Sequence, residues 1–238
     1  MVKETFWGKS QVVEAYRKNE RLFKAEECLL NRYFREGMAV LDLGCGAGRV
    51  SSHMVGKAGF LKGIDIDPAM LEAYRQRCPG AETQCISMGD IEEATGKYDL
   101  CLITYNSIDC LEPKAARIQA LAKILSCLKP GGMLIFSSHN PLGDFGAWMR
   151  CAKLGTLRSI FGRILEGYSF KAESYVPERL FSSIVPIYYG RDFLVKRDVE
   201  SLGYEFVEAI GAEYGAQNPA LYRWFEYWIY YVFRKPVK

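Results

Sequence analysis

The sequence predicts an α/β fold built on an open, mostly parallel sheet that alternates with helices. Short, almost wholly apolar runs recur along the chain, for example at 40–43 and 100–103. Such runs are typical of parallel strands that are buried on both faces. Glycine, proline or an acid follows several of these runs, and segments with apolar residues at helical spacing come next. With 238 residues, the chain has the length of one such domain carrying an insertion.

The most informative turn lies at 38–49, where a strand-like run leads into three alternating glycines. Gly44, Gly46 and Gly48 carry no Cβ atom, so a ligand can lie directly against their backbone. The helix expected next would point its N-terminus at the same place, which suits a carboxylate or phosphate. The spacing differs from the dinucleotide pattern G-x-G-x-x-G, because the third glycine comes one residue early. A strand-to-helix turn that binds nothing is the alternative interpretation.

The string VLDLGCGAGR at 40–49 closely resembles the first motif of the class I S-adenosylmethionine-dependent methyltransferases. The string LKPGG at 128–132, which leads into an apolar strand, is a second match. The resemblance implies a three-layer, Rossmann-like methyltransferase fold: a seven-stranded, mostly parallel sheet in the order 3-2-1-4-5-7-6, with a lid insertion after strand five. It also implies S-adenosyl-L-methionine as cofactor and S-adenosyl-L-homocysteine as product.

The element pattern divides the single expected domain into four parts. These are an N-terminal helix at 10–35, a cofactor-binding core at 36–140, a lid or substrate insertion at 141–190, and a C-terminal helix with the last two strands at 191–238. Strands are predicted at 38–43, 60–65, 81–86, 98–104, 133–138, 204–209 and 224–234, and further helices at 47–56, from 68, at 113–128 and at 192–202. The insertion is rich in aromatic residues, and 147–171 holds five basic residues against one acid. That charge suits either an anionic substrate or a solvated basic face.

Asp65 ends the second predicted strand and is the expected ribose ligand. It lies 21 residues after Gly44, close to the spacing at which an acid on the second strand meets a ribose in dinucleotide-binding folds. A carboxylate accepts several hydrogen bonds, so Asp65 can take both ribose hydroxyls. Ile66 would then pack on the adenine. Asp67 and Pro68 instead begin the next helix, as its N-cap and first residue.

The resemblance implies further cofactor contacts in the glycine turn and after the third strand. Asp42, just before the glycines, would hold the turn and the ammonium group of the cofactor, and Cys45 lies within the turn. Asp90 and Ile91 match the positions where the family places an acid beside the adenine amino group and an amide facing a ring nitrogen. A purely local role for Asp42 and a helix-capping role for Asp90 are the alternatives.

The resemblance also places the N-terminal helix over the cofactor. Tyr16 and Arg21 would then contact its methionine end, although packing for Tyr16 and a solvated charge for Arg21 are open alternatives. Tyr105 and Asn106 follow strand four, and ligand crevices in open α/β sheets lie at the carboxyl ends of central strands. We therefore expect Tyr105 and Asn106 at the junction of cofactor and substrate.

His139 is the candidate catalytic base, since it is one of two histidines and follows strand five at the same crevice. Methyl transfer from a sulfonium mainly needs the nucleophile, the methyl carbon and the sulfur to be held in line. A base is needed only for an acceptor that arrives protonated, such as a hydroxyl. Asn106 is the second catalytic candidate, because several family branches place an active-site Asn or Asp there. A histidine hydrogen-bonded within the following turn is the alternative interpretation of His139.

Composition and charge bear on the remaining function classes. The net charge of +3 does not by itself indicate nucleic acid, and no apolar run is long enough to span a bilayer. The first seven residues lack the apolar core of a signal peptide, and the eight cysteines form no C-x-x-C pair. We therefore expect a cytoplasmic protein with reduced thiols and without a metal site. No pattern in the sequence indicates an oligomeric state.

These observations predict an S-adenosylmethionine-dependent methyltransferase that acts by in-line displacement on oxygen or nitrogen of a small molecule. The aromatic insertion would enclose that compact acceptor. One alternative is an RNA-binding or RNA-modifying methyltransferase that uses the basic segment 147–171. Another is a catalytically silent binding protein that keeps the cofactor fold. An aminopropyl transferase would use the same sheet, but the sequence has no acidic cluster suited to polyamines.

Overall fold

One central sheet organises the protein, and a computed structural model describes it for residues 6–143, 161–162, 165, 171–180, 183–213 and 218–237. Within those residues the sheet has nine strands. They are β1 (Ala39–Leu43), β2 (Phe60–Asp65), β3 (Glu82–Cys85), β4 (Tyr98–Ile103), β5 (Leu128–His139), β6 (Glu173–Leu180), β7 (Ser183–Gly190), β8 (Glu205–Gly211) and β9 (Trp228–Arg234). The longer helices are α1 (Ser10–Lys18), α2 (Lys24–Tyr33), α3 (Pro68–Arg77), α4 (Lys114–Cys127), α5 (Asp192–Glu200) and α6 (Pro219–Phe225).

The strand order confirms the predicted α/β, Rossmann-like fold class. Strands β3, β2, β1, β4 and β5 are parallel neighbours in that order. Strand β9 runs antiparallel beside β5, and β8 pairs with the outer side of β9. The seven predicted strands therefore lie in the expected order. The observed sheet differs because two further strands, β6 and β7, arise within the insertion.

Strands β6 and β7 form an antiparallel hairpin beyond the carboxyl end of β4. Strand β4 pairs with β5 as far as Ile103 and Phe136, whereas β7 pairs with β5 only at His139 and Tyr189. Since β9 occupies the other edge of β5 along this stretch, β7 continues the sheet past the end of β4. Residues 173–180 and 183–190 of the predicted lid thus form a hairpin at the crevice. Most of the basic segment 147–171 lies outside the described residues.

The core lies on both faces of the sheet, as the alternation of side chains along a strand requires. On one face, Cys101 and Ile103 of β4 belong to a buried cluster that includes Leu121 of α4. On the other face, Leu100 and Leu102 belong to a second cluster that includes residues of α2. Strand β4 is therefore buried on both sides, which explains its apolar run at 100–103.

The single N-terminal helix predicted at 10–35 is wrong, because the chain forms α1 and α2 with a break between them. Leu22 in the break is buried in the core, and Phe23 is extended. The backbone N–H of Phe23 donates to Glu26 Oε2 at 2.8 Å, and this capping interaction starts α2.

The helix predicted at 47–56 is also wrong, since only a short 3-10 segment at Ser51–His53 interrupts a run of turns. Gly46 and Gly48 have φ values of +52° and +78°, which lie outside the helical region. A helix therefore cannot begin at residue 47. The Ser51 hydroxyl then donates to Asp42 Oδ2 at 2.7 Å, so a side-chain contact with β1 holds this segment.

The final strand begins later than predicted, because residues at the start of 224–234 belong to α6. Asn140, after β5, holds the end of that helix: its Nδ2 donates to the carbonyl oxygens of Arg223 (2.7 Å) and Glu226 (2.9 Å). The seven described cysteines form no disulfide. In the described portion of the chain, every helix is too short or too polar to cross a bilayer.

Candidate active site

The glycine turn after β1 forms one wall of a cavity at the carboxyl end of the sheet. Gly44 and Gly46 adopt left-handed φ values of +65° and +52°, which favour glycine. A Cβ atom on Gly44 would lie 2.6 Å from Ser107 Cβ, and one on Gly46 would lie 3.3 Å from the Tyr16 ring. The turn therefore needs glycine both for its backbone conformation and for the space beside it.

Asp65 lies at the end of β2 and holds the glycine turn in place. Its Oδ2 accepts the N–H of Gly46 at 2.8 Å, and its Oδ1 accepts the N–H of Asp67 at 3.0 Å. Burial raises the pKa of Asp65, although both backbone hydrogen bonds oppose that rise. The carboxylate lines the cavity. The backbone of Ile66 also stabilises the carboxylate, and an ionised carboxylate, with about four lone-pair positions, can accept a further hydrogen bond.

The side of the cavity next to Asp65 is apolar. Ile66 is 47% exposed although it lines the cavity, and Met70 and Met88 line the same region. An exposed branched aliphatic side chain beside a carboxylate suits a flat heterocycle attached to a sugar. Ser87 also lines the cavity.

Asp90 and Ile91, which are predicted to bind adenine, follow Ser87 and Met88 along the chain. Asp90 is exposed in a 3-10 turn, and the side chain of Ile91 is buried in the core. Neither is among the residues that line the cavity. The chain meets the cavity at Ser87 and Met88, and the contacts of the Asp90 carboxylate and the Ile91 backbone amide with adenine stay predictions.

Aromatic side chains close the cavity from the N-terminal side. Tyr16 of α1 and Trp7 both line it, with ring centroids 6.4 Å apart. Tyr16 also contacts Tyr105 across the cavity, at 5.8 Å between centroids. Arg21 does not line this cavity, because its side chain is exposed in the break between α1 and α2. Its carbonyl oxygen accepts a hydrogen bond from Arg49 Nη1 at 3.1 Å.

Asp42 lies beneath the glycine turn and is fully buried. Its Oδ2 accepts the Ser51 hydroxyl, which in turn accepts the Tyr74 hydroxyl at 2.9 Å. Its Oδ1 has no hydrogen-bond partner among the described residues. Burial raises the pKa of Asp42 to about 7, with the Ser51 hydrogen bond acting in the opposite direction. Burial likewise raises the pKa of the Cys45 thiol well above its ordinary value, so this residue is not a reactive thiolate.

Arg49 is a buried structural residue that supports the glycine turn. It pairs with buried Glu26, with Nη2 to Oε1 at 2.7 Å. Glu26 also accepts the hydroxyl of Tyr230 on β9. The Arg49 guanidinium lies 5.4 Å from the ring centroids of both Phe23 and Tyr105. This ion pair fixes α2 and β9 against the turn.

Tyr105 and Asn106 lie between the cofactor cavity and the end of β5. Both adopt left-handed backbone conformations, with φ values of 56° and 58°, which are strained for residues other than glycine. The Asn106 N–H donates to Ser137 Oγ at 2.8 Å, and this bond helps to hold the strained turn. Tyr105 lines the cavity, whereas Asn106 is buried with its Nδ2 3.5 Å from His139 Nε2.

His139 is held by a buried acid that the sequence did not single out. The backbone N–H and ring Nδ1 of His139 lie 2.8 Å and 2.9 Å from Asp109 Oδ2. Asp109 has no exposed surface, and its Oδ1 lies 3.6 Å from Arg117 Nε, which is also fully buried. The structure therefore brings together His139 and Asn106, both predicted, with Asp109 and Arg117, both missed.

A turn of glycines and an acid at the ends of neighbouring parallel strands define a nucleoside-binding protein of the Rossmann-like class. Residues 40–132 match a family model described as a methyltransferase domain. The match and the fold together support a class I S-adenosylmethionine-dependent methyltransferase family, whose cofactor is S-adenosylmethionine. No group of three or more His, Cys, Asp or Glu side chains suited to a metal ion occurs in the part of the chain that the structure describes.

The chain is also similar to individual curated proteins that are named as methyltransferases. The chain is 33% identical over 110 residues to the ubiquinone biosynthesis O-methyltransferase of Neisseria meningitidis, covering 44% of this chain and 45% of the relative. It is 33% identical over 110 residues to the aklanonic acid methyltransferase DauC of a Streptomyces species, covering 43% of this chain and 48% of the relative. The chain thus spans less than half the length of these curated relatives.

Solved structures resemble the whole chain at low sequence identity. The CcbJ methyltransferase from Streptomyces caelestis has a TM-score of 0.67 at 15% identity, covering 98% of this chain and 99% of that chain. The N-methyltransferase NodS from Bradyrhizobium japonicum has a TM-score of 0.57 at 16% identity, covering 95% and 98%. These two likenesses establish the fold.

Proposed function

We propose that the protein is an S-adenosylmethionine-dependent methyltransferase acting on oxygen or nitrogen of a small molecule. The observation that carries this proposal is the meeting of the glycine turn, the Asp65 carboxylate and exposed Ile66 in one cavity. That cavity opens at the carboxyl ends of the parallel strands, where open α/β sheets bind ligands.

The residues around the cavity fit the proposed cofactor. The backbone at Gly44 and Gly46 leaves room that side chains would fill. The Asp65 carboxylate lines the cavity and would accept the ribose hydroxyls alongside its backbone hydrogen bonds. Ile66 offers an apolar surface to adenine, whereas Asp42 is buried beneath the turn and outside the cavity lining, so it would act on the ammonium group through its charge.

The chain's contribution to the reaction would be binding, orientation and exclusion of water. When bound, the cofactor supplies a methyl group activated by a positively charged sulfur. Tyr16 and Trp7 would cover the cofactor, and Tyr105 would separate it from the acceptor side. Holding the acceptor in line accounts for most of the rate, because proximity alone supplies up to about 7–11 kcal/mol in oriented systems.

Two observations support a small acceptor. The β6–β7 hairpin lies beyond β4, beside the crevice, and narrows the space available to a large partner. Relatives that match residues of the core include two whose names give a small-molecule pathway or substrate, namely ubiquinone biosynthesis and aklanonic acid. The alternative use of 147–171 for RNA stays a prediction, since most of that segment lies outside the described residues.

Replacing Asp65 by alanine tests the proposed cofactor site. We expect S-adenosylhomocysteine affinity, measured by titration calorimetry, to fall at least about tenfold, because two charge-assisted hydrogen bonds to the ribose are lost. Glu72→Ala is the matched control, since Glu72 is a carboxylate exposed on α3. Unchanged affinity in Asp65→Ala would remove Asp65 from the site.

Asp65 also anchors the glycine turn, so its two roles need to be separated. Asp65→Asn keeps the shape and one acceptor oxygen, although its amide nitrogen can no longer accept one of the two backbone N–H groups. Removing the ribose 2′-hydroxyl from S-adenosylhomocysteine should weaken binding to the wild type but have little effect on Asp65→Asn. An equal loss of affinity in the wild type and in Asp65→Asn would show that Asp65 acts only through the turn.

A further inference from the structure

The hydrogen bonds around Asp109 define which ring nitrogen of His139 is basic. An ionised carboxylate only accepts hydrogen bonds. Asp109 Oδ2 lies 2.9 Å from His139 Nδ1, so Nδ1 carries the hydrogen and Nε2 carries the lone pair. The Ser138 hydroxyl donates to Asp109 Oδ1 at 2.8 Å, which fixes the carboxylate itself.

The basic Nε2 atom faces the wall of the cofactor cavity. It lies 3.5 Å from Asn106 Nδ2, and the two residues beside Asn106, Tyr105 and Ser107, both line that cavity. Asn106 is 3% exposed, and its Oδ1 has no hydrogen-bond partner among the described residues. The His139 side chain keeps 13% of its surface exposed, whereas Asn106 Oδ1 is buried, so an acceptor hydroxyl at the junction would reach Nε2 rather than the amide oxygen.

Arg117 balances the charge of Asp109 in the protein interior. Both side chains are fully buried, and Arg117 Nε lies 3.6 Å from Asp109 Oδ1. The guanidinium lies 4.6 Å from the ring centroid of Tyr188, and its nitrogens have no hydrogen-bond partner among the described residues. A buried carboxylate without a counter-charge is costly. Arg117 is thus a positioning residue, which acts through Asp109 on His139.

Aromatic rings surround His139 and continue to the cofactor cavity. The ring of Tyr189 lies 4.7 Å from that of His139, and those of Tyr227 and Trp228 lie 5.9 Å from it. Trp228 in turn contacts Tyr105, with 5.2 Å between centroids. Such a wall suits a flat aromatic acceptor, which gains from offset or edge-to-face ring contacts.

Resting on the proposed methyl transfer, we propose that the acceptor is an aromatic hydroxyl and that His139 Nε2 takes its proton. The O–H bond breaks with transfer of the proton to Nε2, and the oxygen lone pair forms a bond to the methyl carbon. The C–S bond breaks with its electron pair going to sulfur, which becomes a neutral thioether. The imidazolium is stabilised by Asp109 and then releases its proton to water. A neutral amine brings a free lone pair and needs no such base before attack.

Nitrogen-15 NMR of histidine-labelled protein tests the geometry without any acceptor. The chain contains only His53 and His139, so exposed His53 serves as an internal reference. At pH 8 we expect His139 to carry its hydrogen on Nδ1 in the wild type and to lose that preference in Asp109→Asn. A wild-type hydrogen on Nε2, or no change in Asp109→Asn, would overturn the assignment.

Matched acceptors test the substrate class. Catechol, hydroquinone and salicylate would be compared with ortho-phenylenediamine, para-phenylenediamine and anthranilate, with methylated products detected by mass spectrometry. We expect methylation of the phenols only. His139→Ala should lower kcat about 100-fold or more while leaving the KM for S-adenosylmethionine within about twofold, and His53→Ala should match the wild type. Methylation of the amines alone, or of no phenol, would overturn the proposal. Failure of S-adenosylhomocysteine to bind at all would instead contradict the proposed function.

A double variant separates the role of Arg117 in positioning from its role in folding. Arg117→Met leaves Asp109 buried without its counter-charge, and we expect Tm to fall by about 10 °C. Combining it with Asp109→Asn removes both charges and should restore most of that Tm while kcat stays as low as in Asp109→Asn. Wild-type kcat in the double variant would show that the charge pair does not act on His139.

Discussion

Asp42 is the buried acid whose protonation should set the pH dependence of both folding and cofactor binding. Burial raises its pKa from an ordinary 3.8 to about 7, against the opposing effects of the Ser51 hydrogen bond and the Arg49 charge. Between these two pH values, the folded protein holds one proton that the unfolded chain has released. Folding stability from this group is therefore fully present below pH 4 and is lost as pH rises through 7.

The size of the effect follows from the difference between the two pKa values. From 3.8 to about 7, at about 1.4 kcal/mol per pH unit, the loss amounts to about 4 kcal/mol. Asp42→Asn carries no charge at any pH and removes this loss. Because the amide must find its own hydrogen-bond partners, we expect a net gain of about 1–3 kcal/mol at pH 8. At pH 4 the wild type has no such loss, so the same amide cost should leave Asp42→Asn about 1–3 kcal/mol less stable than the wild type.

Urea unfolding at pH 4, 6 and 8 measures this difference, since every other titrating group is shared by the two proteins. S-adenosylhomocysteine calorimetry gives a second readout: with a pKa of about 7, the ionised fraction of Asp42 rises about tenfold between pH 6 and 8. Wild-type affinity should rise by a similar factor, and that of Asp42→Asn should be lower and nearly flat. The reasoning would be refuted if the difference in unfolding free energy between wild type and Asp42→Asn stayed constant from pH 4 to 8. It would also be refuted if the ratio of their affinities did.

Three further predictions concern the site and its support. Gly46→Ala, at φ +52°, should lower S-adenosylhomocysteine affinity about tenfold or more by calorimetry, whereas Gly80→Ala, at φ +85° in open space, should lower stability only. Glu26→Gln should lower the free energy of unfolding in urea by about 3–5 kcal/mol, because buried Arg49 loses its counter-charge; a loss below about 1 kcal/mol would contradict a buried ion pair. Asp90→Ala should change S-adenosylhomocysteine affinity by less than about twofold, and a tenfold loss would restore the role indicated by the motif.

The parallel strands could be predicted from the sequence because each is a local pattern. A strand buried on both faces must be apolar throughout, and the acid or glycine after it marks the carboxyl end of the strand. Asp65 and Gly44 were found in this way, and the structure brings both to one cavity. Local pattern also located His139 correctly at the end of β5.

The residues that support the site could not be predicted, because their roles depend on partners distant in sequence. Arg49 is buried only because Glu26 of α2 folds over the turn to meet it. Asp109 and Arg117 are not spaced as neighbours on one helix, so the sequence does not mark them as a pair. Their contact depends on how α4 packs. Asn140 binds carbonyl groups at the end of α6, far along the chain.

Helix boundaries failed for a different physical reason. Apolar residues in 10–35 keep helical spacing across the break, so periodicity alone cannot show that α1 ends at Lys18. Only the structure reveals the break. There, the capping contact between Phe23 and Glu26 starts a new helix, α2, instead of continuing α1.

The crystal structure of the protein with S-adenosylhomocysteine is the most direct test of the central claim. We predict that both ribose hydroxyls lie within about 3.2 Å of the Asp65 carboxylate oxygens, with adenine against Ile66 and the backbone of Gly44 and Gly46 along the ligand. A nucleoside bound away from the glycine turn, or ribose hydroxyls beyond hydrogen-bond reach of Asp65, would contradict the account.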